Sequence, residues 1–541
     1  MNFLCRLVPN IGVLLSLCTV VSMVALLSLT ALIAMVAATL LAAISPRRLP
    51  EGLRRSCEFA AVIATTAAIA SLAGLVANGP EQFLLLVGSR DVGLSLRVDA
   101  ISAPLLLLIA FIGWVVVRYT ATYLGGEPGQ GRFMALLCAA LSCVMVMVTA
   151  GNVIGLVAAW IGTGVILNRL LLFYADRAAA QRAARKQAIV SGLSDLALLG
   201  AALTLGLGHA TGDIRSITDG VVQHGATSAD IIAAALLAAA AMLKSAQFPM
   251  HGWLTEVMEA PTPISALLHA GIVNAGGFVL IRFAELMLTA PGVLATLAML
   301  GGLNALLGGL VMLTQPAVKT SLAWSTIAQM GFMFLQCGLG LFALALLHIV
   351  AHSLYKAHAF LSSGGAVERI AAGARPGPVA IPSLAAVGRS FLAALGIYVA
   401  IGLAFGFHHK SPQAIALGAI LIFGIAYLFA QGLAVDAPRA LTRRVIGYAL
   451  TTSIGYFALH SAAFKLTAGI LPATPTPDAL GWVLIATAVV SFGIVAFAQT
   501  TFPLWSTHPA AAGLRVHLSN GLYANALFDR VVGSWARRGA R

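Results

Sequence analysis

Residues 231–250 read IIAAALLAAAAMLKSAQFPM, an apolar run closed by Lys244 and then by Pro249. A charged side chain at membrane depth costs about 2.5–3.5 kcal/mol even on the lenient insertion scale, so the lysine needs a reason to be there. Proline cannot donate a backbone hydrogen bond and frees a carbonyl one turn earlier, so the helix is expected to break just beyond Lys244. Broken helices at membrane depth survive where protein or a water-filled cavity lines them, and such interruptions point to transport sites. The alternative for Lys244 is a stem that snorkels to the cytoplasmic interface.

The rest of the chain supports a membrane setting. Its 541 residues are 60% hydrophobic and 9% charged, whereas soluble domains run near 25% charged. A soluble globular fold is excluded. Porin-like barrels are excluded as well, because their strands alternate apolar and polar residues and the apolar runs here are continuous. With about 20 apolar residues needed per span, the fold is an all-α polytopic membrane protein with about 14–15 transmembrane helices. The runs fall at 11–44, 58–77, 101–121, 133–150, 153–173, 188–208, 229–249, 264–286, 292–314, 322–337, 341–362, 385–407, 413–434, 446–466 and 479–501. The first is far longer than a signal-peptide core of about 7–15 residues and reads as a retained span.

The net charge of +14 reports topology rather than affinity for nucleic acid. Basic clusters fall in alternate connections: Arg47, Arg48, Arg54 and Arg55; Arg177, Arg182, Arg185 and Lys186; Arg369 and Arg375; Arg439, Arg443 and Arg444; and Arg515, Arg530, Arg537, Arg538 and Arg541. The positive-inside rule then puts these connections and the C-terminus in the cytoplasm and the N-terminus outside. The six cysteines (Cys5, Cys18, Cys57, Cys138, Cys143 and Cys337) form no CxxC pair and no zinc or iron–sulfur spacing, and read as small apolar helix residues. Connections between spans are short, so chemistry that needs a large hydrophilic domain must come from a partner. In 503–541, Val516, Leu518, Leu522, Leu527, Phe528, Val531 and Val532 alternate with polar and basic positions at roughly helical spacing. That pattern suits an amphipathic cytoplasmic tail, held either by lipid head groups or by a partner.

Few charges lie inside the spans, and each is a candidate. His348, His352 and Lys356 recur every four residues in one apolar run, with Tyr355 and His358 close by. Each step of four drifts only about 40° around a helix, so the three side chains share one stripe and make a proton or cation wire plausible. A metallohydrolase reading fails, because H-E-x-x-H chemistry needs a glutamate after the first histidine and Ile349 stands there. His269 lies among small residues that permit close helix approach; it serves either as a relay, helped by a free imidazole pKa of about 6.5, or as a donor to a neighbouring carbonyl. Lys319, at the mouth of the span that follows it, has the periodicity of an ordinary interfacial cation. Asp195 is a membrane carboxylate able to act as counter-ion to a lysine, and moving such a charge can switch a lysine's protonation.

The stretch from Lys244 to His269, KSAQFPMHGWLTEVMEAPTPISALLH, resembles the signature of the antiporter-like subunits of respiratory complex I and of Mrp cation/proton antiporters. With Lys319-Thr-Ser-Leu-Ala-Trp-Ser-Thr and His348-x3-His352-x3-Lys356, the match runs in order from about Asp99 to Gly365. The resemblance implies two inverted five-helix repeats, giving N-terminal spans at 1–130, a first repeat at 131–286, a second at 287–434, C-terminal spans at 435–502 and the tail at 503–541. It implies a hydrated proton path in which Lys244, His269, Lys319, His348, His352 and Lys356 relay. By position it adds Lys410, in Phe-Gly-Phe-His-His-Lys-Ser-Pro, although the spans above leave that residue in a loop. The family has Trp-Glu-Gly in its fifth span, where this chain has Trp160-Ile161-Gly162; the glutamate that partners the broken-helix lysine is missing.

The ending His517-Leu-Ser-Asn520-Gly521-Leu-Tyr523 is similar to that of the membrane subunits of two-component DAB inorganic-carbon accumulation systems. That likeness implies a subunit of the bacterial inner membrane that conducts H+ or Na+ and energises CO2 conversion to bicarbonate. The large cytoplasmic DabA-like partner would resemble a β-carbonic anhydrase and carry the zinc. This chain would then bind no cofactor and be no enzyme. Two other readings stay open: a proton-translocating subunit of complex I or an Mrp-type antiporter, and a membrane anchor with inherited polar residues.

Overall fold

The computed structural model describes residues 23–84, 93, 95–365, 384–407, 410–432 and 439–538. Among the described residues every one of the fifteen apolar runs is helical, the one at 264–286 with an interruption. Eleven of these are long and apolar enough to cross a membrane: Met23–Ala43, Glu51–Asn78, Ser102–Tyr123, Gln130–Thr149, Val153–Leu171, Ala178–His209, Thr262–Arg282, Pro291–Met312, Phe342–Leu361, Leu384–Ala404 and Ala479–Thr500. The other four are Ser228–Lys244, which stops at 17 residues, Pro412–Gly432, and the more polar Val318–Gly338 and Arg439–Thr467. The start of the first run and the cluster at Arg369 and Arg375 lie outside the described residues.

The chain divides into two compact units, the first comprising Met1–Ala184, Asp195–Ala233 and Ala260–Ile272. In it, strands Glu81–Leu84 and Ser95–Val98 pair antiparallel, with Glu81 opposite Val98. This hairpin is an addition to the all-helical expectation; four-residue strands between spans leave no periodic signal long enough to read. Asp99 starts the next helix, its Oδ1 accepting from the N–H groups of Ile101 at 3.0 Å and Ser102 at 2.9 Å, which satisfies donors a helix start leaves open. Asp213 caps helix Ile214–His224 by accepting from Ser216 N–H at 2.9 Å, and its other oxygen takes a hydrogen bond from Gln82 on the hairpin.

The second unit comprises Arg185–Ser194, Ala234–Glu259 and Val273–Arg541. Helices Pro291–Met312 and Val318–Gly338 approach backbone to backbone within it. A Cβ on Gly301 would lie 2.6 Å from Gly331 O, and one on Gly331 2.6 Å from Ala305 N, the small-residue contact by which membrane helices pack closely. Two departures from expectation bear on function. Helix Ala178–His209 begins ten residues before the apolar run at 188, so Lys186 is not in a loop. The span expected at 264–286 is interrupted: Thr262–Ala270 ends, a 3-10 turn covers Ile272–Asn274, and Ala275–Arg282 resumes.

Candidate functional site

Helix Ser228–Lys244 ends on its lysine, as the following proline requires. Beyond it Ala246 takes a left-handed φ of 51°, the Phe248 N–H donates to Asn304 Oδ1 at 2.6 Å, and a short helix, Gly252–Glu256, follows. Ser245 Oγ donates to Val273 O at 2.6 Å, so the broken stretch is tied to the second interruption. Glycine permits that junction: a Cβ on Gly276 would stand 2.4 Å from both Ala241 O and Ser245 Oγ. Lys244 is buried, and its Nζ lies 3.4 Å from Ser191 Oγ. The end of the broken helix thus holds one buried lysine beside a hydroxyl of a neighbouring helix.

The stripe forms as the spacing requires, on helix Phe342–Leu361. The His348 and His352 rings stand 5.9 Å apart. Lys356 is fully buried and donates from Nζ to Leu322 O at 3.1 Å, a carbonyl one turn along from half-buried Lys319 in helix Val318–Gly338. Ser353, on the same helix, accepts from Asn274 Nδ2 at 2.9 Å, linking the stripe to the 3-10 interruption. Tyr355 and His358 are exposed. A cavity of about 610 Å³ opens beside the histidines, lined by His348, His352, Gln329, Gln336 and Tyr456 among apolar residues. It is ample for a chain of waters at about 30 Å³ each. Gln336 Oε1 and His348 Nε2 are buried and meet no hydrogen-bond partner among the described residues. Unsatisfied buried polar atoms are costly, and water in the cavity would satisfy them.

Lys410 sits at the bend between Leu384–Ala404 and Pro412–Gly432, half-buried, as the loop reading expects. It is within electrostatic range of His460, a buried histidine stacked on Phe464 at 4.8 Å that spacing gave no reason to single out. His269 is completely buried on Thr262–Ala270, and Asp195 is half-buried on Ala178–His209; both belong to the first unit. Ile161 lies beside fully buried Trp160 on helix Val153–Leu171, so no carboxylate stands at that position.

The largest correction concerns Lys186 and the tail. Lys186, read as one of a group of loop cations, is 1% exposed. Its Nζ contacts Glu256 Oε1 at 2.5 Å, Asp529 Oδ1 at 2.6 Å and Asn525 Oδ1 at 2.8 Å. Asn525 also donates from Nδ2 to Glu256 Oε1 at 2.8 Å. Asp529 and Asn525 stand on tail helix Ala524–Arg538, whose polar face pairs with the second unit's interior. Two glycines fit the tail to that surface. A Cβ on Gly252 would fall 1.9 Å from Asn525 Oδ1, and one on Gly521, at a left-handed φ of 56°, would fall 2.8 Å from the Trp324 ring. The Asn520-Gly521-Leu-Tyr523 turn is therefore a docking element. Lys186, Val190 and Ser194, four residues apart, share a buried face of helix 178–209, a phase that the structure reveals and the sequence does not.

The model of the NADH:quinone oxidoreductase/Mrp antiporter membrane family matches residues 150–375, and that of the complex I chain 5 N-terminus matches 84–134. A probable inorganic carbon transporter subunit, DabB2 of Halothiobacillus neapolitanus, is 37% identical over 507 residues, 91% of each chain. The probable inorganic carbon transporter subunit DabB of Hydrogenovibrio crunogenus is 45% identical over 273 residues, 50% of this chain and 53% of that protein. In the Mrp complex of a Dietzia species, one chain shares the fold at 23% identity with a TM-score of 0.60, over 94% of this chain and 60% of that one. The 37% identity to DabB2 over 91% of each chain, on a fold with a lysine-terminated broken helix and a His/His/Lys stripe, establishes that the chain belongs to the DabB family of inorganic carbon transporter subunits, within the antiporter-like membrane subunits of complex I and Mrp.

Proposed function

We propose that this chain passes protons through the membrane and thereby energises inorganic-carbon uptake by a large cytoplasmic, zinc-containing, carbonic-anhydrase-like partner. The observation that carries the reading is the stripe of half-buried His348 and buried His352 and Lys356 beside a 610 Å³ cavity with unsatisfied polar atoms. Desolvated cations persist in a membrane where they serve transport, and imidazole moves protons at little cost. In this reading Lys244, held at the helix break beside Ser191, receives the ion. His269 and Lys319 relay it, the stripe carries it along the cavity, and Lys410 releases it. Asp195 supplies a counter-charge. The C-terminus faces the cytoplasm, where the partner docks. This chain catalyses no hydration; it supplies the bias that keeps conversion of CO2 to bicarbonate one-way.

A subunit of a respiratory complex or an Mrp-type exchanger is the competing reading. The absence of a carboxylate at Ile161 and the 91% coverage by an inorganic-carbon relative favour the first. Growth at ambient CO2 of a strain dependent on this chain and its partner tests it. The Lys244→Ala/Lys356→Ala double variant is expected to abolish rescue, and undiminished rescue would end the coupling role.

A further inference from the structure

We infer that Lys186, Glu256 and tail residue Asp529 form the proton-loading site for Lys244, with the tail supplying a carboxylate to a chain whose fifth span has none. The inference rests on the proton-conducting reading above. Three observations carry it. The cluster is unbalanced: Lys186, 1% exposed, faces the half-buried carboxylates of Glu256 and Asp529 at 2.5 and 2.6 Å. Written as ions, it holds one negative charge more than positive, so one added proton neutralises it. Glu256 Oε2 provides the place, being buried without a hydrogen-bond partner among the described residues while Oε1 takes both Lys186 and Asn525.

The third observation is continuity. On the helix that carries Lys186, the next buried polar side chains are Gln187, Ser191 and Ser194, and Ser191 Oγ is the group 3.4 Å from Lys244 Nζ. Five residues of helix separate Lys186 from Ser191, a rise of about 7.5 Å. Arg182 and Arg185 on the same helix, and Arg177 just before it, are exposed. They mark the end that the positive-inside rule assigns to the cytoplasm, so the cluster lies between that face and Lys244. His251, packed between Phe248 and Trp324 with ring centroids at 5.4 and 4.6 Å, is a further titratable group within electrostatic range of Lys186.

The step is a proton transfer and nothing else. A proton from the cytoplasmic side adds to Glu256 Oε2, turning the carboxylate into a carboxylic acid. It then passes along the buried polar side chains to the unprotonated amine of Lys244, which becomes an ammonium, and Glu256 returns to the carboxylate. Asn525 and Asp529 are positioning residues, holding Lys186 against Glu256.

The test is proton flux in proteoliposomes containing the full chain co-purified with its partner, comparing wild type, Glu256→Gln, Asp529→Asn, Asp529→Glu and Lys356→Ala. Loss of a positioned proton-transfer group is expected to cut flux about a hundredfold in Glu256→Gln. Asp529→Asn should also fall, with Asp529→Glu close to wild type. Azide, a small permeant weak acid, should restore flux to Glu256→Gln, as it carries protons past a missing carboxyl; a purely structural loss would not respond. Wild-type flux in both amide variants, or losses that azide and Asp529→Glu leave unrepaired, would overturn the loading site. Undiminished flux in Lys356→Ala would instead overturn proton conduction along the stripe, so the two failures are distinguishable.

Discussion

Replacing Gly252 with alanine should loosen the tail. The new Cβ would lie 1.9 Å from Asn525 Oδ1 and 2.7 Å from its Cγ, so the amide must rotate away. Rotation breaks the bonds from Lys186 and to Glu256, both at 2.8 Å. Hydrogen bonds to charged groups contribute about 1.5–3 kcal/mol each, so docking weakens by about 3 kcal/mol or more, roughly a hundredfold in the docked-to-free ratio. The ion pair from Lys186 to Asp529 remains, which is why a loosened tail rather than a lost one is expected. Hydrogen exchange of helix Ala524–Arg538 in nanodiscs reads this directly, since local opening sets the rate. Protection should fall by about two orders of magnitude, while Gly533→Ala, with nothing within 4 Å of the added Cβ, leaves it unchanged or raised. Protection within threefold of wild type in Gly252→Ala would refute the account of tail docking.

Three further outcomes follow from the same geometry. Gly301→Leu should lower the thermal stability of the detergent-solubilised protein, because its Cβ position is 2.6 Å from Gly331 O and overpacking a tight crossing costs about 1–3 kcal/mol; an unchanged melting midpoint would show that the two helices can part freely. Lys186→Met should strip two half-buried carboxylates of their buried cation, seen as reduced membrane accumulation; Lys186→Met/Asp529→Asn/Glu256→Gln should recover much of it. His209→Ala should remove the 2.8 Å contact with buried Asp230 and speed proteolysis near residues 210–227, by about tenfold for a charge-assisted bond of roughly 1.5 kcal/mol; equal cleavage rates would show that the pair does not hold that connection.

The spans are legible in the sequence because the bilayer imposes long apolar runs, and the break after Lys244 because proline at membrane depth leaves few alternatives. The stripe is legible because a step of four residues is nearly one helical turn. Lys186 is not, since a lysine beside Arg182 and Arg185 looks like any cytoplasmic cation until its burial is known. Its partners come from Glu256 and from Asp529 more than 250 residues further on, a distance no periodicity bridges. The interruption at Ile272–Asn274 is hidden for a different reason: Gly271, Gly276 and Gly277 read equally well as close packing in an unbroken helix. Tyr456 and His460 share the face of a helix too polar to stand out as a path.

Proton-driven carbon conversion in sealed vesicles tests the central claim most directly. With the chain and its partner in the membrane, an imposed proton gradient and CO2 supplied outside, bicarbonate inside should exceed its equilibrium ratio to CO2. The excess should vanish with a protonophore and be absent in Lys244→Ala/Lys356→Ala. Bicarbonate that reaches the same level with or without the gradient, or in the double variant, would contradict the account.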